Sequence, residues 1–481
     1  MSQLNVLCIK NRCWVIAFLI VCAGIVSCDA GSPAGQRGKL PNILFIVADD
    51  LGWQDLGIYG NTQINTPNID ALAASGAKFN NAFVVAPSCS SSRAALMTGQ
   101  YPHTNKVTAL THRYPSKALR PFYTTLASLL EDNGYRTGID GKWHVAPYYP
   151  TSFYGYQERM LGLGVFADDW KISNAEDALE FIHDSVEDNS PFYLELNFIQ
   201  NHRRDHGKFY YSDEFPVDAG SIKVPQNYSL PDWPEIREDL ARFYSQTMEM
   251  DAIVGDIVAA LDALEIRQST LIIFVSDNGQ PYPGAKMTLY DRGTGTPLIA
   301  NWQGTIAAGL QINPLISSID IMPSILHAVG IDVPEAVQGM SFLPLIALQG
   351  RGGDNKYTER AAVFTELDYH VNYLPTRSVR TNQWKYIRNY TDSAVGLDEL
   401  GATDWAIRLA KLPDQPWLRP RVEEELYYLP DDPHETVNLA TNQHHQKVKA
   451  RLGQLLTEHM RDTSDPALGQ EFSPDVINVL Q

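Results

Sequence analysis

Four short stretches carry residues whose types and spacing could do chemistry. "NILFIVADD" (42–50) and "TLIIFVSDNG" (270–279) are apolar, β-branched runs that end abruptly in Asp49 and Asp50 and in Asp277 and Asn278. Clustered carboxylates repel one another unless a cation sits between them. Three aspartates with one amide oxygen make a hard oxygen cage suited to Ca²⁺, or to Mg²⁺. A single Asp-Asn-Gly more commonly just caps a turn; two such endings in one sheet point to a metal. The third stretch, "APSCSSSRAALMTGQYPH" (86–103), sets Cys89 among serines at the head of a helical run, with Arg93 one turn on. A thiol there would be activated by the guanidinium and the helix N-terminus, and an inert core cysteine fits such polar neighbours poorly. In the fourth, "GKWH", Lys142 and His144 are two apart, on one side of an extended segment and so aimed into one cleft.

Such residues need a scaffold that carries strand ends to one place. The two apolar runs read as buried parallel strands, and in open α/β sheets ligands collect beyond the carboxyl ends of the strands. Between them, Met250, Ile253, Val254, Ile257, Val258, Leu261 and Leu264 fall on one helical face. "TPNIDALAASG" and "TLASLLEDNGYRTGI" repeat the helix-then-strand scheme, with Gly134 stopping the second helix. Past about residue 350 the character changes. "RSVRTNQWKYIRNY" and "EELYYLPDDPHETVNLA" read as antiparallel strands, and "HHQKVKARLGQLLTEHM" as an amphipathic helix buried through Val448, Leu452, Leu455 and Leu456. The expected class is α/β: a catalytic domain over 41–350 on a mixed, mostly parallel sheet flanked by helices, then a smaller α+β domain over 351–481 with an antiparallel sheet. The glycine-rich "LQGRGGDNK" (348–356) is the expected linker.

The first 27 residues read as an export leader: Lys10 and Arg12 precede an apolar run shorter than the roughly 20 residues of a membrane span. Its end, "IVSC", resembles a bacterial lipoprotein cleavage box, which would make Cys28 the lipid-bearing residue and 28–40 a tether. Plain secretion is the alternative. The chain would then be periplasmic or membrane-anchored, touching the membrane only through that lipid. Cys8, Cys13 and Cys22 leave with the leader, so Cys89 stands alone in the folded body and no disulfide framework is possible. The net charge of −18 argues against nucleic acid as a partner, while a local cationic cluster could still bind a small anion.

Taken together, "PNILFIVADDLGWQDLGIYG", "SCSSSRAALMTGQYPH", "GYRTGIDGKWH", "TLIIFVSDNG" and "ELYYLPDDPHETVNLA" resemble the type I sulfatases of the alkaline phosphatase superfamily, in order and over nearly the whole chain after the leader. "SDNGQPYPGAKMTLYDRGTGTPL" and "RSVR" with "DPHETVNLA" bring it nearest to the heparan N-sulfatase (sulfamidase) subgroup. The resemblance implies an alkaline-phosphatase-like fold and oxidation of Cys89 to formylglycine by a formylglycine-generating or sulfatase-maturing enzyme. The hydrated aldehyde would attack sulfur. Asp49, Asp50, Asp277, Asn278 and residue 89 would hold Ca²⁺. By the same resemblance Arg93 orients the diol, Lys142 and Lys286 clamp sulfate oxygens, His144 takes the diol's second proton, and His202 is the general acid toward the leaving group. Two departures stand out: Ser91 occupies a position where the family usually has Pro or Ala, and Lys286 one where the sulfamidase subgroup carries Arg. The second leans toward an O-sulfate ester.

Aromatic loops surround these motifs. Tyr148, Tyr149, Phe153, Tyr154 and Tyr156, and Tyr369, His370, Asn372 and Arg377, offer faces and polar groups that suit a sugar ring, or merely a packed lid. His370 and Arg377 are the expected substrate contacts. The expected activity is hydrolysis of sulfate esters on a sulfated polysaccharide or its oligosaccharides. The alternatives are an N-sulfoglucosamine sulfohydrolase, a phosphatase or phosphodiesterase of the same superfamily, and a non-catalytic glycan-binding protein.

Overall fold

The computed structural model describes residues 40–469, apart from 113–117, 147–148, 160–174, 349–356 and 414. The leader, Cys28, the tether, Tyr148 and residues 349–356 of the expected linker lie outside the described residues. An eight-stranded sheet runs in the order Glu158–Arg159, Arg136–Gly141, Phe192–Asn197, Asn42–Ala48, Thr270–Ser276, Leu298–Asn301, Ala77–Phe79, Leu310–Ile312. All pairings are parallel except those that Leu298–Asn301 makes with its two neighbours. Continuous apolar runs form the centre because helices cover both faces. Ile43, Phe45, Val47, Leu271, Ile273 and Val275 enter one core. Leu44, Ile46, Ala48, Ile272 and Phe274 enter the other, as strand alternation requires. The Pro234–Ala263 helix buries Met250, Val254, Ile257 and Leu261 in that second core.

A four-stranded antiparallel sheet follows, Val363–Tyr369, Tyr373–Arg380, Trp384–Asn389 and Glu424–Tyr428 in that order. The Gln446–Asp462 helix covers it through Leu452 and Leu456, with Val448 and Leu455 at the edge. This sheet docks on segments that flank the chemistry: Met287 and Leu289 pack with Leu367, Leu374 and Tyr427, and the Glu366 amide donates to the Val85 carbonyl (2.8 Å). Among the described residues, no helix is long and apolar enough to cross a membrane.

Candidate active site

Asn42–Ala48 and Thr270–Ser276 are adjacent, parallel and in register to their last residues, Ala48 opposite Ser276. The next residues of each therefore emerge side by side. Oxygens of Asp49, Asp50 and Asp277 lie within 4.8 Å of one another, all fully buried. Asp50 holds a positive φ of 52°, a strained conformation for a non-glycine residue, fixed by its amide donating to Asp277 Oδ1 (3.1 Å) and by Asn278 Nδ2 donating to its Oδ1 (2.7 Å). Asn278 Oδ1 is buried with no hydrogen-bond partner among the described residues. The Asp49 carboxyl is pushed up to about 8, by burial first and by Asp277 and Asp50 beside it, against Lys142 and Arg93, which act to lower it. A cage of hard oxygens, one of them buried and unbonded, fits a divalent cation such as Ca²⁺.

Cys89 opens the Cys89–Thr98 helix, every residue of which is buried. Its Sγ lies 3.9 Å from Asp49 Oδ1 and 3.9 Å from Asp50 Oδ1. The expected activation of the thiol is not found. Burial drives its titration well above the ordinary range and outweighs Lys142 and Lys286, which act to lower it. Arg93 is committed to the carboxylates: Nε donates to Asp277 Oδ2 (2.8 Å), Nη1 to Asn197 Oδ1 (2.9 Å), and Nη2 sits 3.8 Å from Asp49. A buried cysteine in this position is a poor nucleophile as a thiol.

Two lysines close the ring. Lys142, whose amide donates to the Asn197 carbonyl at the end of the neighbouring strand, donates its ammonium to Asp49 Oδ2 (2.6 Å). Lys286 donates to Asp50 Oδ2 (2.9 Å). His202 is set by the turn after Phe192–Asn197, where Asn201 takes a positive φ of 71° and its side-chain amide donates to the Phe243 carbonyl and Thr247 Oγ1. A His202 ring nitrogen lies within 4.8 Å of Cys89 Sγ and an Asp49 oxygen. His202 Nδ1–H donates to the Arg203 carbonyl (2.6 Å), which fixes the proton of the neutral ring on Nδ1. Burial, then Lys142 and Lys286, holds His202 well below the ordinary imidazole range; a bound anion between those lysines acts in the opposite sense. His144 is likewise held neutral, by burial and then by Lys142, and pairs with His112 (2.6 Å between ring nitrogens).

These groups line a cleft of about 290 Å³ whose walls include Cys89, His144, His202, Lys286 and His370. The sequence reading missed His112, Arg203, His206, Asp398 and Glu399 on the same walls. None carries a local signal, because each arrives on a loop whose place depends on distant contacts. Two expectations need correction. Arg377 is not on the cleft: it is buried, gripping Asp465 with Nε and Nη2 (2.6 and 3.0 Å) and Asp368 with Nη1 (2.7 Å). His370 lines the cleft, yet its ring nitrogens are engaged by Ser88 Oγ (2.9 Å) and Glu399 Oε1 (2.5 Å), so it ties walls together rather than reaching for a ligand. The aromatic loop also differs. Tyr154 and Tyr156 are core residues, Phe153 is 57% exposed, and among the described aromatics of that reading none lines the cleft.

A buried oxygen cage beside a helix-initiating residue, with two lysines on its carboxylates and His144 and His202 on the cleft wall, is an arrangement suited to holding a divalent cation and to hydrolysing an anion. The model for the sulfatase family matches residues 41–331, and that for the C-terminal part of N-sulphoglucosamine sulphohydrolase matches 285–400. The chain is 30% identical to human (Homo sapiens) N-sulphoglucosamine sulphohydrolase, covering 89% of this chain and 92% of that protein. It is also 30% identical to an ulvan-active sulfatase of Formosa agariphila, covering 92% and 89%. Among solved structures it is similar to BT4656 in complex with its substrate D-glucosamine-2-N,6-O-disulfate, with a TM-score of 0.65, 20% identity, and coverage of 89% of this chain and 99% of that one. The chain therefore belongs to the sulfatase family, hydrolases of sulfuric esters.

Proposed function

We propose that the protein removes sulfate esters from a sulfated polysaccharide or its oligosaccharides, with residue 89 oxidised to formylglycine as the nucleophile. The observation that carries this reading is the approach of Cys89 Sγ to 3.9 Å from both Asp49 and Asp50, inside a wall that also bears Lys286, His144 and His202. Asp49, Asp50, Asp277, Asn278 and residue 89 would hold Ca²⁺, which when bound offsets the charge of the sulfate and lowers the pKa of the attacking hydroxyl. Formylglycine supplies that hydroxyl as its hydrate. Lys142 and Lys286 bind the sulfate oxygens, Arg93 orients the diol, and His144 receives the proton released when sulfate leaves. His202 Nε2 carries a proton to the departing oxygen, needed most when that oxygen is a poor leaving group.

The proposed setting is export by the N-terminal leader, anchoring to a bacterial membrane through lipid on Cys28, and conversion of Cys89 by a maturing enzyme. The test pairs intact-mass analysis with sulfate release. Conversion lowers the mass by about 18 Da, and the converted, Ca²⁺-loaded protein should release sulfate from 4-methylumbelliferyl sulfate and from sulfated oligosaccharides. Fully converted protein that releases no sulfate from any of them sinks the reading. A second reading, N-sulfate hydrolysis, is favoured by the match over residues 285–400; D-glucosamine N-sulfate cleaved faster than any O-sulfated sugar would select it.

A further inference from the structure

We infer that Glu399, flanked by Asp398, is a specificity determinant: it makes the cleft accept a sugar with hydrogen-bond donors beside the scissile sulfate and reject one carrying a second anionic group there. The inference rests on the proposed sulfatase reading. Glu399 belongs to a short Asp398–Leu400 turn outside the sheet, yet its carboxylate reaches the cleft wall. Oε2 lies 3.1 Å from Lys286 Nζ and Oε1 2.5 Å from His370 Nε2. Burial alone would push this carboxyl up, but Lys286 and His370 together hold it well below the usual range, so it stays ionised.

Its position is rigid. Gly207, on the loop that follows His202, and Gly401 lie back to back at positive φ: a Cβ on Gly207 would sit 2.1 Å from the Leu400 carbonyl oxygen, and one on Gly401 2.7 Å from the Gly207 nitrogen. No side chain fits in that seam, so the turn bearing Glu399 is pressed against the loop bearing His202. Asn372 Nδ2 donates to Asp398 (2.9 Å), and His370 continues to Ser88, the residue before the nucleophile position.

The cleft's volume of about 290 Å³ is at the small end for ligand sites. A sulfated sugar ring seated with its sulfate at Lys286 therefore brings its neighbouring substituents against the same walls. Two of the cations there are matched by the chain's own acids, and Arg204 lines the same wall. Arg203 is held bidentately by Asp239 (3.0 and 2.7 Å), and Lys286 is shared between Asp50 and Glu399. One sulfate has the lysines and the oxygen-cage cation; a second sulfate or a uronic carboxylate on the adjacent carbon would meet Glu399 instead. A hydroxyl or ammonium there would donate to it. Discrimination of this kind comes from a repulsive element built into the site.

The test measures binding, so it does not depend on turnover. Ca²⁺-loaded Cys89→Ser protein is titrated calorimetrically with two pairs of probes whose second sulfate is on the adjacent carbon: galactose 4-sulfate against galactose 3,4-disulfate, and glucosamine 3-sulfate against glucosamine-2-N,3-O-disulfate. The singly sulfated member should bind at least tenfold more tightly in at least one pair, and adding Glu399→Gln should bring that preference within threefold. Glu399→Asp, which keeps the charge, should retain part of it. Equal affinity for both members, equal weakening of both by Glu399→Gln, or no binding of any probe overturns the proposal. If Glu399→Gln does not fold, the same comparison with Asp398→Asn and Glu399→Asp must still show partial loss of discrimination. Failure of the converted wild type on aryl sulfate and on every sulfated oligosaccharide would sink the hydrolase reading and leave this binding result standing.

Discussion

Two buried charge clusters face each other across the nucleophile helix in sequence and differ in how their charges are met. In the cleft, Asp49, Asp50 and Asp277 converge, and Asp49 is pushed up to about 8 by burial despite Lys142. In the second, His103, Glu366, Asp368, Arg377 and Asp465 join the end of that helix region to the C-terminal sheet. There Arg377 and His103 hold the Asp465 carboxyl below its usual range in spite of burial. Glu366 likewise keeps His103 charged, against the pull of burial. Three cations, Arg93, Lys142 and Lys286, meet the three carboxylates of the first, and Arg377 and His103 meet those of the second; what leaves the first open is a buried oxygen, Asn278 Oδ1, with no hydrogen-bond partner among the described residues. Closed clusters hold a fold together, while open ones hold a ligand.

The comparison predicts that damage to the open cluster costs chemistry and damage to the closed one costs stability. Cys89→Ala should lower kcat on any sulfate ester by about 10⁴-fold or more while Ca²⁺ and oligosaccharide binding persist in calorimetry. Loss of both would mean that residue 89 only supports the fold. Asp277→Asn removes a cage oxygen's charge and Arg93's partner (2.8 Å). Activity should fall about 10³-fold, with Ca²⁺ affinity weakened in titration and partial recovery at high Ca²⁺. No change in Ca²⁺ affinity would take Asp277 out of the cage.

The closed cluster should behave the other way. Arg377→Met leaves half-buried Asp368 without its cation and buried Asp465 with His103 alone, and should destabilise the protein by roughly 3 kcal/mol in denaturant unfolding. Turnover of aryl sulfate by the folded fraction should stay within about threefold of wild type; a selective loss of turnover would restore Arg377 to the substrate. His459 stacks on Phe364 (3.7 Å between ring centres) beside this cluster, and burial lowers it to about 4 from 6.5. Between those values the unfolded chain takes up a proton that the folded protein refuses, so stability falls as pH drops from about 6.5 to about 4. The full contribution is up to about 3 kcal/mol. His459→Phe should remove that share of the acid sensitivity, and an unchanged slope of stability against pH in that window would contradict it.

How much of this was legible follows from what each residue's neighbours are. The meeting of Asp49, Asp50 and Asp277 was readable because apolar runs 42–48 and 270–276 announce their own ends and because parallel neighbours finish together. Cys89 and Lys142 carried a local signal, the polar helix start and the two-residue spacing to His144, while His202 and Lys286 were readable only through the order of motifs, since a lone His or Lys carries no spacing signal. Arg377 misled because its strand, Tyr373–Arg380, is buried on both faces, so alternation gives no way to tell a cleft-facing from a core-facing side chain. Glu399 was invisible: "LDELG" reads as an exposed acidic turn, and only the seam at Gly207 and Gly401 carries it to the cleft.

The smallest effect sharpens the distinction most, because it separates two unbonded atoms of the same region. Asn278 Oδ1 and Ser91 Oγ are both buried without hydrogen-bond partners among the described residues. The first belongs to the side chain whose Nδ2 donates to Asp50 Oδ1 at the cage. The second lies on the Cys89–Thr98 helix, 2% exposed. An unbonded hydroxyl costs about 1 kcal/mol or more when nothing needs it. Ser91→Ala should therefore raise stability by about 1 kcal/mol and leave Ca²⁺ affinity as it was, whereas Asn278→Ala should weaken Ca²⁺ binding without that gain. If Ser91→Ala instead destabilises the protein, its hydroxyl has a partner, and an unbonded atom no longer marks the difference between a site and its scaffold.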